Sequence, residues 1–223
     1  FSLLGVSIGV FAVVVALAVV NGFEEEVTAQ MIGKDAHVDV LSYDGEPFGA
    51  YEELISEVKK ADSTVVAVAP YLVYKMGISS RKVNDGVVIY GIDPERSKQV
   101  VDIHQKIRWG HYSVDSLPDM GGTLRPGVIL GIGLANRLRV VVGDKIVLQT
   151  FQSPDAMLAS GGPKMMQAVV SGIFETGMYE YDANLVYVGI PEMQKLLGIG
   201  DKVTGLQIRV KDFWKASETV TKL

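Results

Sequence analysis

The first twenty residues, FSLLGVSIGVFAVVVALAVV, carry no charged side chain, and their apolar positions run right round a helical wheel. At 1.5 Å of rise per residue, a helix of that length reaches roughly 30 Å, the thickness of a bilayer's hydrocarbon core. Valine is a modest helix former in water. In lipid, every backbone group must be satisfied within its own segment, and the helix becomes the natural state. The pattern predicts a membrane-spanning helix. A cleaved signal peptide is the alternative, because Ala16-Leu17-Ala18 fits a small-x-small cleavage site. Gly5 and Gly9 form a G-x-x-x-G pair that lets a neighbouring helix approach closely; glycines that merely face lipid are the plainer reading.

Beyond Asn21-Gly22 the pattern changes. Phe23, Val27 and Met31 recur every fourth residue with Glu, Thr and Gln between them, one stripe of a helix that continues to a stop at Gly33. Such a helix is either a stiff lever or a plain tether, and periodicity alone does not choose.

The body alternates strands and helices. Strands are expected at 36–41, 65–69, 72–78 and 87–91, with a turn at Asn84-Asp85-Gly86 ahead of the last. Between the first two lies a helix at 51–60 with Leu54, Ile55 and Val58 on one face. The same style returns near the end: a strand at 185–188, a helix at 192–197 opened by Pro191 and closed by Gly198, and a strand at 206–210. Two strand-helix-strand units bracketing a long middle piece predict an α+β fold, one part interrupted by another.

In that middle piece, strands are expected at 128–130, 146–150 and 166–170, with a short helix at 133–138 and a turn at Gly143-Asp144. Segment 152–163, QSPDAMLASGGP, has two prolines, adjacent glycines and no apolar period, and reads as an extended hairpin tip. Met157, Leu158, Met165 and Met166 are out of place on a solvated loop. Methionine adapts to varied partners, so a binding surface is one reading and a loop folded over the core is the other.

Charge and composition then exclude more than they assign. A formal net charge of -5, with no basic cluster, argues against nucleic acid as a partner. The absence of cysteine removes disulfides, zinc-thiolate sites and thiol nucleophiles. Asp35, His37 and Asp39 would share one strand face but lack a fourth ligand, and His104 and His111 fit no metal spacing. Ser160-Gly161-Gly162 lacks a nucleophile elbow, and Gly131-Ile132-Gly133 lacks the third glycine of a dinucleotide loop. No pair of carboxylates sits in an apolar setting that would tune a proton donor. The chain, which opens on Phe1 and breaks off in polar sequence, is expected to be a piece of a longer, non-catalytic protein.

Four stretches in order carry a resemblance: GVSIGVFAVVVALAVVNGFEEEV from Gly5, VVIYGIDPE from Val87, PGVILGIGLANRLRVVVGDKIVL from Pro126, and VVSGIFETGMYEYDANLVYVGIPEMQKLLG from Val169. The chain resembles the LolC/LolE family of lipoprotein-releasing ABC transporter permeases, relatives of the MacB-type transporters. The resemblance implies a transmembrane helix followed by a MacB-like periplasmic domain, a β-α-β porter part with an inserted sabre part. The boundaries expected are 1–33 for helix and stalk, 34–95 and 173–223 for the porter halves, and 96–172 for the sabre part.

It further implies a permease subunit of the bacterial inner membrane, mostly periplasmic over this stretch, without catalysis or cofactor. Its partners would be a cytoplasmic ABC ATPase, a second permease subunit (the same or different), a LolA-like periplasmic carrier and lipoprotein cargo. ATP hydrolysis in the separate subunit would reach the domain by mechanotransmission. A hairpin hook within 152–166 would grip the carrier, with Pro154, Met157, Leu158, Pro163 and Met165 as contacts. A MacB-like or FtsX-like permease with another cargo or partner, and a secreted binding protein freed by signal cleavage, are the alternatives.

Overall fold

The computed structural model describes residues 2–32, 36–151, 162–212 and 216, with side-chain surroundings in the first helix given for 6–20 and 22. The chain divides into two compact units, 1–35 and 36–223. The first is one helix, α1 (Ser2–Ile32), which runs unbroken through Asn21-Gly22.

The second unit is built on strands. In chain order it holds β1 (Val38–Leu41), α2 (Tyr51–Ala61), β2 (Val65–Ser79), β3 (Asn84–Ile92), α3 (Pro94–Val100), a 3-10 turn (Asp102–Lys106), β4 (Ile107–Gly110), β5 (Ser116–Pro118), β6 (Leu124–Gly131), α4 (Ile132–Leu138), β7 (Lys145–Thr150), β8 (Met165–Phe174), α5 (Tyr179–Asn184), β9 (Leu185–Gly189), α6 (Ile190–Leu197) and β10 (Gly205–Val210).

The sheet runs β1-β10-β2-β3-β9-β6-β8-β4, with β5 attached to β6. The antiparallel β10 lies between β1 and β2, and the parallel pairing of β3 with β9 brings the late strands beside the early ones. β7 pairs with both β2 and β8. The pairings β2-β3-β9-β6-β8-β7 therefore return to β2 and close a ring, which leaves those six strands without a free edge.

Side chains from all six ring strands meet in one buried cluster, among them Met76, Ile89, Val186, Leu130, Val170 and Leu148. α4 adds Leu134 and Leu138 to it, and α6 adds Met193 and Leu196. A second cluster forms where α2 lays Ile55 and Val58 against Val68, Leu206 and Ile208. Each fully buried Leu or Ile contributes about 1.5–3 kcal/mol relative to exposure.

Two local expectations change. The strands expected at 65–69 and 72–78 are one continuous β2, despite Pro70. Tyr71 turns its carbonyl toward Thr204, beside β10, so the amide position of Pro70 faces the β3 side. There the β3 ladder has already ended at Ile92, opposite Tyr71, and the missing N–H removes no ladder bond. The turn expected at Asn84-Asp85-Gly86 lies instead at 80–83, because Ile78 and Met76 must face the core and pair with Asp85 and Val87. The Ser80 hydroxyl accepts from the N–H groups of Lys82 and Val83 and shapes that turn.

Candidate functional site

β7 and β8 pair antiparallel within the closed ring, on either side of segment 152–161. Their register pairs Val147 with Gln167, Leu148 with Met166 and Gln149 with Met165. One rung further out, the Thr150 N–H donates to Lys164 O at 3.0 Å, and the Lys164 N–H to Thr150 Oγ1 at 3.2 Å. Ile146 and Leu148 point into the core, and Met166 packs against it from the partner strand. Alternation then sends Gln149, Phe151, Pro163 and Met165 to the opposite face. Phe151 and Met165 are 64 % and 63 % exposed, two large apolar groups that water covers on a firmly rooted ribbon.

Lys164 ties this root to α6. Its ammonium donates to the carbonyl oxygen of Leu197 at 2.9 Å, at the C-terminus of the helix. There Gly198 turns left-handed (φ 73°) and its N–H closes the helix on Gln194 O. An open groove of about 720 Å³ runs along the root, lined by Met165, Met166, Pro126, Pro191 and Leu196.

Of the predicted contact residues, Pro163 and Met165 stand exposed on one face of the root, whereas Pro154, Met157 and Leu158 lie outside the described residues. Phe151 was not anticipated. The alternation Ile146-in, Leu148-in, Thr150-in already places it outward and could have identified it. Gly9 has nothing within 4 Å of where a Cβ would sit, and Gly5 belongs to the same helix with its surroundings undescribed.

Every described side chain of α1 from Val6 to Val20 is exposed, Phe11 at 70 %. Among the described residues no helix is long and apolar enough to cross a membrane.

Among the described residues no group of acidic and histidine side chains gathers as a metal site. His37 Nδ1 lies 3.1 Å from Val210 O, at the end of β10. Gly131 and Gly133 serve packing, since the backbone of Asp182 leaves no space for a Cβ at Gly131 and crowds one at Gly133. Asp182 itself accepts from the N–H groups of Thr176 (2.7 Å) and Gly177 (3.0 Å), which holds the turn before α5.

A ring of strands flanked by short helices, with one helix N-terminal to it in sequence, makes this a mixed α/β domain. The family described as MacB-like periplasmic core domain matches residues 1–223, and the chain belongs to it. The lipoprotein-releasing system transmembrane protein LolC of Xylella fastidiosa is 30 % identical over 225 residues, covering 100 % of this chain and 51 % of that protein. LolE of Haemophilus influenzae, of the same lipoprotein-releasing system, is 22 % identical over 97 % of this chain and 50 % of its own length. The chain thus spans about half the length of these curated relatives. In fold it is similar to the extracellular domain of the noncanonic ABC-type transporter YknZ from Gram-positive bacteria, with a TM-score of 0.52, 14 % identity, and 82 % of this chain and 87 % of that one covered.

Proposed function

We propose that this chain is the first membrane helix and the extracytoplasmic domain of an ABC permease subunit that releases lipoproteins from the bacterial inner membrane to a LolA-like carrier. The observation that carries the reading is the likeness to LolC over the whole chain, α1 included. In this reading residues 1–20 sit in lipid, and their uncharged, all-round apolar sequence supports that placement. Gly5 and Gly9 offer a neighbouring membrane helix a close approach.

The subunit is non-catalytic. A separate cytoplasmic ATPase supplies the energy, and a second permease subunit completes the transporter. Motion passes through α1, whose unbroken course from Ser2 to Ile32 suits a lever. The domain comprises a porter part, 34–95 and 173–223, and a sabre part, 96–172, whose β7–β8 hairpin is the hook. Pro154, Met157, Leu158, Pro163 and Met165, joined by Phe151, form its carrier-facing surface. An exposed apolar face on a ribbon anchored in a closed sheet suits a docking contact, because little order is lost on binding.

Mixing the detergent-solubilised full-length subunit with a LolA-like carrier tests the reading. A stable complex, weakened at least tenfold by Phe151→Asp with Met165→Asp, is expected. A subunit that extracts into aqueous carbonate without detergent, or that ignores the carrier, would overturn it and favour a different cargo or partner.

A further inference from the structure

We infer that the end of the ring bearing the β2–β3 turn holds an anion site that takes a phosphate ester group. A pocket of about 180 Å³ opens there between the β2–β3 turn, the C-terminal end of α4 and the turn before β7. Arg81, Lys82, Arg139 and Lys145 line it, and Asp144 is the acidic residue among its lining. In a chain of net charge -5, this concentration of cations runs against the general balance.

The charges are not mutually neutralised. Lys145 is committed to Asp119, 3.5 Å away, which Arg125 also holds at 2.7 Å. Asp144 accepts from the Val141 N–H and shapes its own turn. Arg81, Lys82 and Arg139 pair with no carboxylate among the described residues.

The pocket is also pre-shaped. The Ser80 hydroxyl donates to Leu138 O at 2.8 Å, so the turn carrying Arg81 and Lys82 is fastened to the helix end carrying Arg139. Arg139 occupies the left-handed region (φ 55°), which an ordinary side chain adopts only at some expense of strain. Two guanidinium forks and an ammonium lining one small concavity offer the donor set that suits the oxygens of a phosphate. Met120, 80 % exposed on the rim, offers a contact to the carbon group that an ester carries and inorganic phosphate lacks. The ester would come from a lipid headgroup or from a free phosphate compound.

Amide NMR of this 223-residue chain in a non-ionic detergent tests the site. The probes are inorganic phosphate, glycerol 3-phosphate, dihexanoyl phosphatidylglycerol below its micelle concentration, and a glutamate-rich peptide. Saturable shifts confined to residues 80–83 and 139–145 are expected with the esters. Arg139→Asn, which tolerates the left-handed backbone, combined with Lys82→Gln should weaken binding about tenfold or more. Stronger binding of the phosphatidylglycerol than of glycerol 3-phosphate assigns the lipid as source, and the reverse assigns a free compound. Shifts scattered over the surface, affinity unchanged in the variant, or tighter binding of the peptide than of every phosphate would overturn the inference.

Discussion

The ammonium of Lys164, at the root of the β7–β8 hairpin, donates to the carbonyl oxygen of Leu197 across 2.9 Å and completes the last turn of α6. A side chain beside the start of β8 thus satisfies an orphan carbonyl at the end of α6, where a cation also suits the helix dipole. Lys164→Met should therefore lower stability by about 1 kcal/mol or less, because the site is open to solvent. Hydrogen exchange should accelerate locally, at the amides of Thr150, Gly198 and Ile199. Uniform acceleration across the domain would argue against a local tie.

Gly198 should be less forgiving. Its φ of 73° disfavours any residue with a Cβ, and that Cβ would stand 2.6 Å from Lys164 Nζ. The lysine tip can swing aside, but the backbone cannot change hand without unwinding the helix end. Gly198→Ala should cost about 1–2 kcal/mol in a urea titration, mostly as backbone strain. In the Lys164→Met background the loss should remain nearly as large.

Asp119 predicts an acid-dependent effect. The Arg125 hydrogen bond, the largest cause, holds its carboxyl well below the usual carboxylate range. Desolvation works the other way, and the N–H groups of Gly121 and Thr123 and the Lys145 charge add to the lowering. A folded-state value below the unfolded one stabilises the fold above the unfolded value, near pH 4, and that stability is lost as pH falls toward the folded one. The advantage of the native protein over Asp119→Asn should be constant from pH 7 to roughly pH 5 and shrink below roughly pH 4. Paired urea midpoints at pH 6 and pH 2.5 would measure it.

Leu148 is fully buried where β7 closes the ring between β2 and β8. Leu148→Ala should cost about 2–5 kcal/mol and loosen the root of the hairpin with it. Phe151→Asp and Met165→Asp, on the outer face of the same ribbon, should stay within about 0.5 kcal/mol of the parent. Thermal unfolding of the three variants separates the inner from the outer face directly.

Local patterns in the sequence carried a good part of this fold. The stripe Leu54-Ile55-Val58 placed α2, and Pro191 with Gly198 bracketed α6 within two residues of its start and at its end. Turn chemistry misled where two signals competed: Asn84-Asp85-Gly86 is a strong turn tripeptide, yet Ser80 and the inward demand of Ile78 moved the reversal four residues upstream. Closure of the ring was not legible, because pairing of β7 with β2 joins residues about seventy positions apart and leaves no local mark. At the hairpin the methionines drew attention, whereas Phe151 passed unnoticed until the strand's alternation was laid out in space. The cationic pocket was likewise hidden, since Arg81, Lys82 and Arg139 come from two distant turns.

The most direct measurement is release of a lipoprotein from proteoliposomes holding the full-length permease, its partner subunit and the ATPase. With ATP and a LolA-like carrier outside, cargo should appear in the soluble fraction, and Phe151→Asp with Met165→Asp should abolish its transfer while ATP hydrolysis continues. Cargo that stays in the membrane with the native proteins, despite active hydrolysis and carrier in excess, would contradict the account.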